Sequence, residues 1–188
     1  MDWYAIFVET GKEELTKILI QQKLNDYKVK CMIPKRKLPE KRDGVFFHSF
    51  KLMFPGYIFL QLKLNYEIYY CLKEIPTVIK ILNYNSPEFE YISEDQKHID
   101  ESLYFKKIDP EDIMLLIDLV GEEGVLDYSE IFIENRLVTV LNGPLKNLEG
   151  AIKKVDKRRN RAKVEFNFLG NKSIFDVGVQ ILHIRDLH

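Results

Sequence analysis

Residues 138–168 read VTVLNGPLKNLEGAIKKVDKRRNRAKVEFNF, and the reading of this stretch decides the fold. Two strand-like runs, Leu137–Leu141 and Ala151–Val155, flank Asn142-Gly143-Pro144. Gly143 can take a positive φ and Pro144 pre-sets its own, so the chain turns there. Gly150 stands just before the second run, where a β-bulge or a close backbone approach would favour it. Asp156-Lys157-Arg158-Arg159-Asn160-Arg161 then reads as a basic hairpin tip, followed by a third strand over Ala162–Phe168. About five short strands without a helical period predict a small curled barrel.

Working outward, charge divides the chain more sharply than its net value of −1 suggests. Residues 1–107 carry 17 Lys+Arg against 15 Asp+Glu, a balance of +2. Residues 108–135 carry none against 9, and residues 136–188 carry 11 against 5, balances of −9 and +6. An acidic connector therefore separates a near-neutral N-terminal part from a basic barrel. Phosphate neutralisation by Lys and Arg makes such a barrel a candidate nucleic-acid binder. With 46% hydrophobic and 30% charged residues the chain is globular, and its apolar runs are too short to span a membrane. Met1-Asp2-Trp3-Tyr4 lacks the basic start of a signal peptide. Cys31 and Cys71, without a CxxC or Cys/His cluster, read as reduced core residues, so a cytoplasmic location is expected.

From the N-terminus, Trp3–Val8 reads as a buried strand. Thr10-Gly11-Lys12-Glu13 has capping-box spacing, and Leu15, Ile18 and Leu19 predict a helix over 12–25. Tyr27–Pro34 reads as a strand, and Lys35–Gly44 as a polar basic stretch ending in an Asp43-Gly44 turn. Val45–Leu52 and Tyr57–Leu64 read as strands, Tyr66–Lys73 as a short helix and Thr77–Leu82 as a strand. Ser93-Glu94-Asp95-Gln96 caps a predicted helix to about Tyr104. The order β-α-β-β-β-α-β-α predicts an α/β sandwich with an antiparallel sheet.

Motifs in four places carry a resemblance. Val138–Gly150 resembles the KOW motif, a hydrophobic run, an N/D-G-P turn and a glycine before the next strand. Trp3-Tyr4 at the start resembles the W-Y opening of the NusG family of transcription elongation factors, and Phe54-Pro55-Gly56-Tyr57 its F-P-G-Y signature. Ile75-Pro76-Thr77-Val78 is similar to its T-P-G-V element, with Thr77 in place of glycine, and Phe168-Leu169-Gly170 to its M-F-G. The resemblance covers nearly the whole chain. It implies an α+β protein: an NGN-type α/β sandwich with antiparallel sheet over 1–107, an acidic linker over 108–130 and a small SH3-like KOW β-barrel over 131–188.

It also implies partners. The N-terminal domain would bind the clamp helices of bacterial RNA polymerase through Tyr4, Phe7, Phe54, Tyr57, Phe59 and Ile81. Grouped exposed aromatics suit an interface hot spot. Lys35, Arg36, Lys37, Lys41 and Arg42, with Lys51, would face upstream or non-template DNA, or else form a solvated hairpin that discourages edge pairing. In the housekeeping factor the barrel meets Rho or a ribosomal protein, partly through positions occupied here by Leu169 and Asn171. The charge collected in Lys146, Lys153, Lys154, Lys157, Arg158, Arg159, Arg161, Lys163 and Lys172 instead resembles the specialised paralogue LoaP, which reads a nascent RNA hairpin with its KOW domain. Arg can bridge phosphates bidentately, which favours RNA.

Chemistry points away from catalysis. His48, His98, His183 and His188 are scattered, with no metal-binding spacing, and no phosphate-cradling glycine motif is present. No enzyme activity, cofactor or metal is expected, and a monomer is. Three functions remain open: a processive antiterminator, a housekeeping elongation factor whose barrel binds protein, and a ribosome-associated KOW protein. The Trp3 and Phe54 segments argue against the third.

Overall fold

The computed structural model describes residues 1–82, 105 and 107–182. The helix expected from Ser93 to Tyr104 lies outside them. In chain order the first half contains β1 (Asp2–Val8), α1 (Glu13–Lys23), β2 (Lys30–Met32), β3 (Lys35–Arg42), β4 (Val45–Leu52), β5 (Tyr57–Leu62), α2 (Tyr66–Lys73) and β6 (Val78–Ile81). The second contains α3 (Pro110–Val120), β7 (Val125–Leu126), β8 (Ser129–Glu134), β9 (Leu137–Asn142), β10 (Ile152–Asp156), β11 (Arg161–Phe168) and β12 (Asn171–Leu182). These residues form two compact units, each discontinuous in sequence: Met1–Ile33 with Phe54–Asp109, and Pro34–Met53 with Pro110–His188.

The first unit is built on an antiparallel sheet in the order β2-β5-β1-β6. Its two middle strands, β1 and β5, are almost wholly buried, as their unbroken apolar runs predict. Asn65 caps α2, its side-chain oxygen accepting from the Ile68 N–H at 2.8 Å. Helix α1 departs from expectation. Leu15 and Ile18 are exposed, while Glu13, Thr16 and Ile20 face inward. The reason is a set of long-range polar partners. The Thr16 and Thr77 hydroxyls pair at 2.7 Å in the interior, so the residue in the glycine position is tied to the helix. Glu13 accepts from the Gly11 N–H at 2.9 Å and from the Gly56 N–H at 2.7 Å, a reach beyond a local capping box.

In the second unit, five strands run β10-β11-β12-β8-β9, with β12 and β8 parallel and the other neighbours antiparallel. Alternation along β11 sends Ala162, Val164, Phe166 and Phe168 inward. The Asn142-Gly143-Pro144 turn forms as expected, with Gly143 at φ 96°. A Cβ there would lie 2.6 Å from the Tyr128 carbonyl oxygen and 2.7 Å from Ser129 Cα, so only glycine fits. Gly150 is different: it lies in a single 3-10 turn, and nothing approaches its missing Cβ.

The region expected as a linker is folded. Ile113, Leu116, Leu119 and Val120 recur on one face of α3 and are buried, leaving acidic residues outside. The polar stretch after Pro34 is also a strand. β3 pairs antiparallel with β4 and parallel with β7, and Asp43 and Gly44, at φ 50° and 83°, make the tight turn between β3 and β4. This hairpin belongs by its contacts to the second unit rather than to the span 1–107.

Candidate functional site

The first candidate surface surrounds the Phe54-Pro55-Gly56-Tyr57 turn. Gly56 sits at φ 82°, and a Cβ would come 2.8 Å from Phe7 Cε2, so glycine lets the turn close on the β1 side chain. The Gly56 carbonyl accepts from the Val8 N–H at 2.8 Å. Phe7 and Tyr57 then meet edge to face at 5.3 Å, and Phe54 meets Phe59 at 5.8 Å. Six residues were expected here, and three are misplaced. Tyr4, Phe59 and Ile81 are buried, at 2%, 0% and 7% exposure. Phe59 shares a sheet face with Phe7 and Tyr57 and lies against Phe54, whereas Tyr4 and Ile81 belong to the opposite face of the sheet. Phe7, Phe54 and Tyr57 remain half-buried and accessible.

The second surface lies in the other unit, where the β3–β4 hairpin and the β10–β11 turn come together. Of the cations expected to face DNA, two are engaged within the unit. Arg36 donates to the Asp176 carbonyl at 3.0 Å and stacks 5.4 Å over the Phe175 ring. Burial lowers its guanidinium below the ordinary value, Asp176 opposes that and Arg161 adds to it. Lys37 pairs with Asp127 at 3.0 Å and lies 5.3 Å over Tyr128. Burial pushes the Asp127 carboxyl up, but Lys37 and the Tyr128 N–H outweigh it and hold it below its ordinary value. Lys35 is half-buried, its N–H donating to the Gly124 carbonyl at 2.9 Å. Lys41 and Arg42 are exposed near the hairpin tip.

The barrel cations divide into groups. Lys153 and Lys172 share Glu165, at 3.4 Å and 3.7 Å. Lys154, Arg159, Arg161 and Lys163 surround a cleft of about 140 Å³ with Asp156 and Asp176. Arg161 is structural as well as basic. It opens β11 rather than the turn, is only 19% exposed, and donates to the Pro39 carbonyl through Nε at 3.3 Å and Nη2 at 2.7 Å. The turn is shaped by Asp156, whose Oδ1 accepts from the Arg158 and Arg159 N–H groups at 3.0 Å and 3.1 Å. Among the described residues Lys154, Lys157 and Arg158 carry no ion pair, leaving them open to phosphate. Lys146 lies apart in the loop after β9 and lines neither basic cleft. The β11–β12 turn holds Leu169 at φ 50°, its N–H donating to Asp112 Oδ2 at 3.2 Å.

Sequence reasoning missed two features. Val45, Phe46, Phe47 and Phe50 on β4 are exposed, which the reading of their run as a strand does not foretell. The adjacent Asp43-Gly44 turn was the available signal, since a hairpin tip has little to pack on. Tyr128 was missed too: its ring lies on Gly178, where a Cβ would be 1.8 Å from Cε1, and its hydroxyl meets His48 Nδ1 at 2.7 Å.

Comparison with known proteins accounts for both units. The family model described as "Transcription termination factor nusG" matches residues 1–100, and the KOW motif matches residues 134–165. The chain belongs to the NusG family. Curated relatives named "Transcription termination/antitermination protein NusG" include that of Rickettsia prowazekii, 24% identical over 89% of this chain and 82% of the relative. That of Helicobacter pylori strain 26695 is 21% identical over 97% and 96%, and that of Escherichia coli K12 24% identical over 89% and 87%. A solved structure, "Domain interaction in Thermotoga maritima NusG", shares the fold with TM-score 0.57 at 19% identity, covering 94% and 93% of the two chains. The NusG family consists of transcription factors, not enzymes. Among the described residues of this family member no cluster of metal-ligating side chains occurs, and no helix is long and apolar enough to cross a membrane.

Proposed function

We propose that this NusG-family protein is a processive antiterminator of the LoaP kind, acting in the cytoplasm. Its first unit holds bacterial RNA polymerase at the clamp helices through Phe7, Phe54 and Tyr57, and its basic barrel holds a nascent RNA hairpin. Lys41 and Arg42 are the cations left to meet upstream or non-template DNA. The single observation that carries the RNA reading is the collection of Lys154, Arg158, Arg159, Arg161 and Lys163 around one turn of the barrel. Exposed Arg and Lys on a rigid turn follow a phosphate backbone, and most of the affinity comes from that term.

The test is titration of labelled leader RNA hairpins with the full chain across a range of salt. Arg158→Ala with Arg159→Ala removes two phosphate contacts while keeping the Arg161 anchor. The slope of log K against log[salt] is expected to shrink in magnitude by roughly 1.4 to 1.8 units. An unchanged affinity and slope would make the turn a solvated tip.

In the second reading the protein is a general elongation factor whose barrel binds a protein. Leu137 and Ile174, 73% and 59% exposed on barrel strands, are the apolar side chains such a partner would cover. Loss of protein binding on Ile174→Asp, with RNA binding absent, would bring this reading forward.

A further inference from the structure

A second, larger cleft in the Pro34–Met53 with Pro110–His188 unit is not explained by a phosphate track alone. It opens to about 470 Å³, within the range of roughly 300–1,000 Å³ typical of small-molecule sites. One wall is the β3–β4 hairpin, contributing Pro39, Lys41 and Phe46, and the other is the β10–β11 turn with Arg158 and Arg159. Phe46 is 65% exposed, with the Lys41 ammonium 5.0 Å from its ring centroid. Glu40 and Arg161, 4.0 Å apart, complete the lining.

We propose that this cleft receives one unpaired RNA nucleotide, its base stacked on Phe46 and its phosphate between Arg158 and Arg159. The inference rests on the reading that RNA is the ligand of this unit and names the part of the RNA it takes. A duplex hides its base faces, so an exposed aromatic beside paired arginines fits an unstacked base, as in loops and single strands. The Glu40 carboxylate belongs to the other face of the hairpin, where Lys51 lies at 3.7 Å and Arg161 at 4.0 Å. Glu40 is held below its ordinary value first by the Ser49 hydroxyl beside it and also by Lys51 and Arg161, so it stays ionised among those partners. The cleft therefore combines a stacking face with a phosphate clamp.

The test uses the full chain and fluorescence anisotropy with four probes: a uridine heptamer containing one central guanosine, an all-uridine heptamer, the deoxy counterpart of the first, and a blunt RNA duplex. The guanosine heptamer should bind at least as tightly as the all-uridine one, because stacking on an aromatic ring accepts any base face. Phe46→Ala should weaken the guanosine heptamer between roughly 5-fold and 160-fold, the range that follows from loss of one stacked base. Phe46→Trp should keep or tighten binding, and the duplex should move less than about twofold in either variant, because phosphate contacts dominate there. Phe46 is a surface residue, and retention of duplex binding reports an intact fold. Unchanged heptamer affinity in Phe46→Ala, or an equal loss for heptamer and duplex, would overturn the stacking site. Tighter binding of the deoxy probe would overturn its assignment to RNA. Duplex binding without heptamer binding would overturn this inference and leave the hairpin reading standing; heptamer binding without duplex or leader-hairpin binding would do the reverse. Binding of neither would overturn both.

Discussion

Gly178→Ala is the substitution whose consequence can be worked most fully from the structure. The new methyl carbon would lie 1.8 Å from Tyr128 Cε1, 2.0 Å from Cδ1 and 2.8 Å from the Lys37 carbonyl oxygen. The ring cannot yield cheaply, because its hydroxyl is hydrogen-bonded to His48 at 2.7 Å and Lys37 lies over its face. Moving it gives up a hydrogen bond of about 0.5–1.5 kcal/mol and a cation–π contact of about 0.5–1 kcal/mol. Overfilling a packed space adds about 1–3 kcal/mol. The expected destabilisation is about 2–5.5 kcal/mol, read from urea denaturation of the full chain at constant m. A double-mutant cycle isolates the cause: in a Tyr128→Ala background the same change should be milder by at least about 1 kcal/mol. A Gly178→Ala protein within about 0.5 kcal/mol of wild type would refute the reasoning, as would an equal loss in both backgrounds.

Two further outcomes concern the first unit. Glu13→Ala leaves the buried Gly56 N–H, and the Gly11 N–H, without their carboxylate acceptor, so a loss of about 1–3 kcal/mol is expected in urea denaturation, with faster exchange of the Gly56 amide; unchanged stability and exchange would remove Glu13 as the tie between α1 and the Phe54 turn. Burial pushes the Cys31 thiol from its ordinary 9.0 up to about 11. Its folded value is above its unfolded one, so its stabilisation is complete below about pH 9 and is lost as pH rises toward 11. Between pH 8 and 10.5 the advantage of wild type over Cys31→Ala should therefore shrink by about 2 kcal/mol, and parallel stability curves would contradict it.

How much of this was legible in the sequence depended on how local the deciding physics was. The barrel was readable because Gly143 and the alternation along β11 act within a few residues. The family motifs at Trp3 and Phe54 likewise placed the first sheet. Helix α1 misled because apolar spacing counts Leu15 and Ile18 but cannot see that Thr77 and Gly56 bring polar partners from more than forty residues away. The same limit hid the role of Arg161, whose acceptor, the Pro39 carbonyl, is 122 residues distant, whereas the apolar spacing of α3 is local and was outweighed by the acidic charge around it. Tyr4 and Phe59 were over-assigned to the surface because an aromatic in a central strand looks the same from either side of the sheet. Phe46 was under-read because the alternation within β4 does not mark exposure, and the signal lay outside it in the adjacent Asp43-Gly44 turn.

The central claim, that the first unit of this NusG-family protein engages bacterial RNA polymerase through the Phe54 turn, is tested most directly by equilibrium binding of the full chain to immobilised polymerase. Wild type should be retained, and Phe54→Ala with Tyr57→Ala should bind at least about tenfold more weakly while circular dichroism stays native. No retention of wild type, or a folded double variant held as tightly as wild type, would contradict it.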